Sequence, residues 1–330
     1  MNAVTSDSGG SSAVAELEQR AFGGLRRDLA GAPQDAMIPQ MVVIRATTAA
    51  HPAPGHNPVQ EQIIEAGYRD SRYMPELWRY RELFFFLAWR DILVRYKQTA
   101  VGIAWALIKA MVTLLVLTVV FERVAKLPSG GIPYPLLVFA AILPWQFFAG
   151  ALTDCSNSLV NNVELISKVY FPRLIVPGSA MIVSLVDFAI SCGVLALLLA
   201  WYGFAPDLRI LALPLFTVLA VVLAFGASLW FAALTAQYRD FRFIVGLIAQ
   251  LGLYISPVGF SSSVVPQEWR MLYSMNPLVG VIDGFRWAIL RGATELYWPA
   301  LAFSIAVAAL LLASGLHYFR RTERRLADVI

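Results

Sequence analysis

The chain has 330 residues, of which 58% are hydrophobic and only 15% are charged, and its net charge is +4. Soluble domains are about 45–50% apolar and about 25% charged, so this composition excludes a water-soluble globular protein. Two cysteines and three histidines are scattered along the chain, and their spacing predicts neither a disulfide framework nor a metal site. Lipid can cover apolar surface that a soluble core cannot, so we expect an all-α integral membrane protein.

Residues 1–75 are rich in Gly, Ala, Ser, Pro and Gln and lack helical or strand periodicity. Such composition is typical of chain that cannot bury enough apolar surface to fold, so we expect a mostly disordered cytoplasmic segment. A tail that docks a regulatory partner is the functional alternative. The first long apolar run begins near Val101, so no cleavable N-terminal signal peptide is expected.

Residues 76–98 are both aromatic and basic. Arg79, Arg90 and Lys97 fall on one line of a helix, and a break near Arg90 would bring the other arginines to the same side. Asp91 is predicted to pair with Arg95 one turn later. We predict an amphipathic helix in the cytoplasmic membrane interface, rather than an ordinary surface helix that would expose three consecutive Phe to water. Its polar side chains are Arg79, Arg81, Arg90, Asp91, Arg95, Tyr96 and Lys97.

Residues 99–330 contain six apolar windows. A bilayer core about 30 Å thick needs roughly 20 apolar residues in a helix, and each window comes close to that length. We therefore predict a six-helix transmembrane domain, in which a third span that is longer than needed tilts, bends near Pro177 or begins before the membrane. The windows are Val101 to Phe121, Leu136 to Leu152, Leu174 to Tyr202, Ile210 to Leu234, Phe243 to Val264 and Trp298 to Phe319.

The distribution of Lys and Arg near the ends of these windows predicts the orientation. With the N-terminus inside, the inner segments carry thirteen basic residues and the outer segments carry six. Because basic residues accumulate on the cytoplasmic side, we expect both termini in the cytoplasm and a multi-pass protein of the cytoplasmic (inner) membrane.

The outer connection between the fifth and sixth windows, residues 266–297, is not simply hydrophilic. Two short apolar pieces, Met271 to Met275 and Leu278 to Leu290, are separated by Asn276-Pro277. Such pieces are too short to cross a membrane, but they can enter it and return as half-helices where protein covers their ends. An amphipathic surface loop is the alternative.

No motif for catalysis is found in the sequence. It lacks a phosphate-binding loop, a Ser/His/Asp arrangement and paired acids in a glycosidase context, so catalytic residues and metal ligands are expected to be none. Any ATP-driven transport must then take its ATPase from another chain. Two ionisable residues lie inside the windows, Lys109 and Asp187, at comparable depths from the cytoplasmic ends. An ion pair between two helices is the preferred interpretation, and a proton or substrate site is the alternative.

Aromatic residues make up 12% of the chain. Most are expected to be interfacial anchors, but rings with a polar edge also suit sugars, which offer both C–H faces and hydroxyls. The residues chosen as candidates for lining a substrate path are Trp145, Phe147, Phe148 and Tyr254.

The inner loop between the second and third windows combines a helix signal with apolar side chains. Asn161 or Asn162 is predicted to cap a short helix that Pro172 stops. A plain connecting turn would not need so many apolar residues, so we predict a short helix that docks into a groove on a cytosolic partner. The candidate contact residues are Glu164, Leu165, Ile166, Lys168, Tyr170, Phe171 and Arg173.

A series of short strings runs from about residue 75 to the end of the chain. In order they are Trp78 to Leu83, Arg90 to Thr99 with Gly102 and Trp105, Lys168 to Arg173, Leu185 to Phe188, Tyr238 to Asp240, Ser256-Pro257, and Asn276-Pro277 leading to Asp283 and Arg286. In this order they resemble the membrane subunit of type-2 ABC exporters for polysaccharides such as O-antigen, capsule or teichoic-acid chains. One departure is Ile108-Lys109-Ala110, where the family usually has a Gln-Pro pair that bends the first span.

The resemblance implies a homodimer joined to two copies of a separate ATPase, which would hold the ATP and Mg; no cofactor is expected on this chain. It implies that Glu164 to Phe171 is the coupling helix that contacts the ATPase and Leu77 to Lys97 the interface helix. It also implies a conduit between the subunits, with Asn276, Pro277, Asp283 and Arg286 in an outer gate. The partners would be the ATPase, a second copy of the chain, membrane lipids and a lipid-linked glycan, and no nucleic acid.

Three other functions remain open at this point. The same scaffold can export a drug or a small lipid, and an ion-coupled carrier would use Lys109 and Asp187. A membrane-embedded transferase would need paired acids or a His cluster at one membrane depth, and the sequence offers neither.

Overall fold

A computed structural model describes residues 73–97, 102–128 and 131–329. The predictions for residues 1–72 lie outside this part of the chain, and so does the side chain of Lys109. Within it the backbone is helical and contains no strand. The helices are α1 (Tyr73–Arg79), α2 (Arg81–Lys97), α3 (Gly102–Thr118), α4 (Tyr134–Asn161), α5 (Val163–Lys168), α6 (Ile175–Trp201), α7 (Leu213–Gln237), α8 (Phe241–Ile255), α9 (Gln267–Tyr273), α10 (Pro277–Ile289) and α11 (Trp298–Val329).

Four helical stretches of the described chain are long and apolar enough to cross a membrane: Tyr134–Asn161, Ile175–Trp201, Leu208–Gln237 and Trp298–Glu323. They correspond to the second, third, fourth and sixth predicted windows. The helix in the second window is longer than predicted, because no breaker follows Leu152 before Asn161. Pro177 lies in the first turn of α6, where a missing N–H costs no helical hydrogen bond.

The fifth window is not one long helix. Helix α8 ends at Ile255 after 15 residues, and at about 1.5 Å per residue it is shorter than a bilayer core is thick. Ser256 is extended because the residue before a proline is disfavoured in helical conformation, and Pro257 follows it. In the first window, α3 has 17 residues and continues as a π-helix over Val119–Val124.

The predicted interface helix is interrupted, but not where the charge pattern indicated. The interruption falls at Tyr80, a turn residue between α1 and α2, whereas Arg90 lies in the middle of α2. Leu87 and Ala88 are the buried residues of α2, while Phe85 and Trp89 are exposed. Phe85, Phe86 and Trp89 of α2 therefore face outward from the described protein, as an interfacial helix requires, while Phe84 packs inward.

Helix α4 lies at the centre of the fold. It contacts α3, α6, α7, α8 and α10, and its side chains are buried along most of its length. A second, smaller core lies at the end of the bundle where α4 finishes. This core contains buried residues from different elements, among them Leu87 of α2, Ile166 of α5, Phe171 of the loop after α5, and Phe319 of α11. The interface helix, the inner loop and the last helix thus share one hydrophobic cluster.

Candidate functional sites at the two ends of the bundle

An ionic cluster joins the interface helix α2 to the bundle. The Arg95 guanidinium lies 2.7 Å from the Asp154 carboxylate on α4 and 3.1 Å from the Asp187 carboxylate on α6. The Tyr96 hydroxyl donates a hydrogen bond to Asp187. Burial raises the pKa of the Tyr96 phenol, and the bond to Asp187 raises it further, so the hydroxyl stays protonated and can donate.

The contacts in this cluster differ from the predicted ones for Asp91 and give Asp187 two partners. The cluster also contains Asp154, which the sequence analysis missed. Asp91 pairs with its neighbour Arg90, at 2.7 Å, and not with Arg95. Asp187 meets Arg95 and Tyr96, while the predicted contact with Lys109 lies outside the described side chains. Asp154 was overlooked because the second window was ended at Leu152; the unbroken helical pattern to Asn161 was the available signal.

We expect Arg95→Gln to loosen the attachment of α2. The change leaves two carboxylates on α4 and α6 near each other without their shared cation, and like charges at such distances repel. Because the side chain is 40% exposed, solvent screening reduces the effect to about 1–2 kcal/mol of unfolding free energy. Thermal unfolding of the full chain in detergent measures it.

Arg79→Gln is the matched control, because Arg79 is an exposed arginine on α1. Adding Asp187→Asn to the Arg95→Gln variant should restore part of the lost stability, since it removes one of the repelling charges. Equal unfolding temperatures for Arg95→Gln and Arg79→Gln would contradict a role of the cluster in holding α2.

The inner loop has one buried and one exposed side. Helix α5 covers Val163–Lys168, so the predicted coupling segment is helical only up to Lys168, and Val169 is already extended. Ile166 and Phe171 are buried in the second core. The exposed side is formed by Glu164, Lys168, Val169 and Tyr170.

Two residues, Asn162 and Arg173, tie the inner loop to the rest of the bundle. Asn162 occupies the position before α5, but its side chain does not cap that helix. Instead, the side-chain amide donates to the Ser158 carbonyl, and the side-chain oxygen accepts from the Arg90 guanidinium. At the other end of the loop, the Arg173 backbone amide donates to the Glu323 carboxylate at 2.7 Å and its guanidinium to the Glu323 carbonyl at 2.9 Å. A push on α5 would therefore reach both α2 and α11.

The opposite end of the bundle is organised by a buried arginine. Arg286 on α10 is fully buried and donates to three backbone carbonyls: Leu137 at 3.0 Å, Phe260 at 2.7 Å and Val258 at 2.9 Å. Asp283, three residues earlier on the same helix, accepts from the Ser262 hydroxyl at 2.6 Å. The irregular chain after α8 is thereby fastened to α10 and α4.

Further hydrogen bonds hold the same irregular segment. The Asn276 side chain accepts from the Leu278 amide, which caps α10 next to Pro277, and donates to Ser256 at 3.0 Å. The Tyr134 hydroxyl donates to the Gly259 carbonyl at 2.6 Å. The structure thus brings together all four residues predicted for the outer end, and Tyr134 and Ser262 join them without having been predicted.

The four aromatic residues proposed for a substrate path fall into two groups. Trp145, Phe147 and Phe148 are buried within the core around α4. Phe147 packs edge-on against Phe188 of α6, with ring centroids 5.4 Å apart. Tyr254 on α8 is 69% exposed. The first three side chains thus pack within the described chain. Tyr254 is the one residue of the four that faces outward, and its role in a substrate path stays a prediction.

Comparison with known proteins shows the family of this chain. A model of the ABC-2 type transporter family matches residues 82–290, which is more than half of the chain. The chain therefore belongs to the ABC-2 type transporter family.

Several curated proteins are similar over most of their length. The O-antigen export system permease protein RfbA of Klebsiella pneumoniae is 26% identical over 242 residues, which are 73% of this chain and 92% of that protein. The O-antigen export system permease protein RfbA of Myxococcus xanthus is 24% identical over 256 residues, 76% of this chain and 97% of the relative. The polysialic acid transport protein KpsM of Escherichia coli is 22% identical over 210 residues, 62% and 79% of the two chains.

Proposed function

We propose that this chain is the transmembrane subunit of an ABC exporter that moves a lipid-linked polysaccharide across the cytoplasmic membrane. The observation that carries the proposal is membership of the ABC-2 type transporter family together with similarity, over most of the chain, to proteins named for O-antigen export and polysialic acid transport. The chain itself performs no chemistry in this proposal; ATP and Mg bind to a separate ATPase.

The proposed topology has six spans with both termini in the cytoplasm. They are α3 with its π-helical continuation, α4, α6, α7, α8 with the irregular chain that follows it, and α11. The excess of basic residues at the predicted inner ends supports the orientation. Helices α9 and α10 enter the outer leaflet and return. Burial of α10 against α4, α7 and α11 supports this, because backbone at membrane depth must be covered by protein.

The proposed assembly has two copies of this chain and two of the ATPase. The exposed side of the inner loop offers a charged and aromatic surface on a short helix, which suits insertion into a groove of the ATPase. Phe243, Leu247, Leu251 and Tyr254 form an exposed stripe along α8 at helical spacing. In the proposal this stripe faces the second copy and the conduit between the subunits.

The test is ATP-dependent export with purified components. Inverted vesicles that contain the chain and its ATPase should take up a lipid-linked glycan when ATP is supplied. A double variant, Lys168→Glu with Tyr170→Ala, should reduce uptake and ATPase co-purification at least about tenfold, since exposed aromatic side chains at the centre of an interface contribute most of its affinity. The unfolding temperature should not change, because Tyr170 is 69% exposed.

Trp201→Ala is the control, since Trp201 is 85% exposed at the opposite end of the bundle from the inner loop. Uptake that persists without the ATPase would favour an ion-coupled carrier. Vesicles that transport a drug or a phospholipid but no glycan would assign the chain to the other type of exporter.

A further inference from the structure

A polar cavity lies at the inner-loop end of the bundle. It has a volume of about 840 Å³ and is bordered by α2, the last turns of α4, the start of α6 and the start of α8. This volume falls in the range of small-molecule sites, roughly 300–1,000 Å³. The cavity opens at the end of the bundle where a substrate coming from the cytoplasm would arrive.

The lining favours an anionic, hydrogen-bonding ligand. Three of the thirteen lining residues are arginines, Arg90, Arg95 and Arg242, and two are aspartates. The apolar residues that line it are Val94, Ala180 and Val183, and no aromatic side chain lines the cavity. A hydrophobic ligand would shield the Arg242 charge from water without supplying an anion, which is unfavourable.

The three arginines differ in their partners. Arg90 pairs with Asp91, and Arg95 with Asp154 and Asp187. Arg242 instead donates to two carboxamide oxygens, Asn157 at 2.8 Å and Asn161 at 3.5 Å. In the described part of the chain no carboxylate lies within ion-pair distance of Arg242, so its positive charge is available to an incoming anion.

The position of Arg242 strengthens this site. It lies in the first turn of α8, a helix of 15 residues, where the helix dipole adds to the positive potential. The planar guanidinium matches the oxygen geometry of a phosphate, and Arg90, which also lines the cavity, is a second donor. The Asn157, Asn161 and Thr153 side chains on α4 can exchange hydrogen bonds with hydroxyl groups next to that phosphate.

We propose that this cavity binds the phosphate group that joins the lipid to the glycan, with Arg242 as its principal ligand and the α4 amides contacting the first sugar. The inference rests on the proposed function, because it deepens the assignment of a lipid-linked glycan as substrate. It adds a cytoplasmic site that recognises the junction between lipid and sugar, a group common to glycans of different sequence.

The test measures binding, so it does not depend on transport. The full chain with its ATPase is placed in nanodiscs of uncharged phosphatidylcholine, and a labelled polyprenyl diphosphate is titrated. Arg242→Gln should weaken binding at least about tenfold, since a charge-assisted hydrogen bond is lost. Arg239→Gln is the matched control, because Arg239 lies three residues before Arg242, is exposed and does not line the cavity. This variant should bind the polyprenyl diphosphate with the same affinity as the unaltered chain.

Each outcome decides for or against the site. Equal affinities of the Arg242→Gln and Arg239→Gln variants would overturn the phosphate site. If the vesicle assay still showed ATP-dependent export, the proposed function would stand without that site. Phosphatidylglycerol that competes as strongly as the polyprenyl diphosphate would also overturn it, because the cavity would then hold an ordinary phospholipid headgroup. Size-exclusion profiles of both variants exclude misfolding as the cause of a loss.

Discussion

Replacing Arg286 with Met should destabilise the protein more than any other single change considered for this chain. The substitution keeps most of the side-chain volume but leaves the carbonyls of Leu137, Val258 and Phe260 without their donor. It also removes the buried cation that lies one turn from the buried Asp283 on α10. Removing one member of a buried charged group costs about 3–5 kcal/mol, so we expect a strongly lowered unfolding temperature and loss of export.

A comparison of three variants separates the effect of losing the buried network from the effect of losing any positive charge. Arg123→Met removes an exposed arginine at the same end of the bundle and should leave the unfolding temperature unchanged. The double variant Arg286→Met with Asp283→Leu should be less damaged than Arg286→Met alone, because it also removes the buried carboxylate. If Arg286→Met unfolded at the same temperature as Arg123→Met, the outer segment would not depend on this network.

The second large effect is expected at the crossing of α7 and α11. A Cβ atom on Gly226 would lie 2.5 Å from the Leu312 backbone nitrogen, and one on Gly315 would lie 2.6 Å from the Gly226 carbonyl oxygen. Small residues at such crossings let two membrane helices pack backbone to backbone. Gly226→Val should therefore force the helices apart and cost about 3 kcal/mol, measured by thermal unfolding in detergent.

Gly193→Val provides the control for this prediction. Gly193 also lies inside a long helix, α6, but a Cβ atom there meets nothing within 4 Å. The change should alter the unfolding free energy by no more than about 1 kcal/mol, which is the scale of helix propensity. Similar losses for both variants would mean that helix propensity, and not close packing, explains the Gly226 effect.

Forcing α7 and α11 apart should also disturb the contacts that α11 makes at both ends of the bundle. Ser304 and Ala300 of α11 pack against Gly280 of α10, while Glu323 of α11 holds the inner loop through Arg173. Helix α11 thus contacts the outer segment and the inner loop. A loss of export in Gly226→Val that exceeds the loss of folded protein would support α11 as the connection between them.

Much of the helical content followed from local sequence because apolar length is a local property. Windows two, three, four and six correspond to helices that are long enough to cross a bilayer. The helix in the fifth window is shorter than predicted, because average hydropathy does not register a helix stop and Ser256-Pro257 ends α8 inside an apolar run. The break of the interface helix was misplaced at Arg90 because charge spacing alone does not reveal that Leu87 and Ala88 are covered by neighbouring helices.

The outer residues show where sequence reasoning reached its limit. Asn276, Pro277, Asp283 and Arg286 were selected by resemblance, and Arg286 was also counted among the six basic residues of the outer segments. The structure buries Arg286 completely and gives it three carbonyls from two distant segments. Those carbonyls belong to the backbone and carry no sequence signature, so no pattern of residues could have indicated the network.

The sequence alone determined that this chain lies in lipid as helices, because hydropathy and length are properties of consecutive residues. It also marked Lys109 and Asp187 as charged residues that are unusual for their position. Only the tertiary structure decided which charges meet, since Asp154 and Asp187 reach Arg95 across 59 and 92 residues of chain. Long-range pairs and cavities arise from how helices pack, and packing depends on side chains that are distant in sequence and adjacent only after folding.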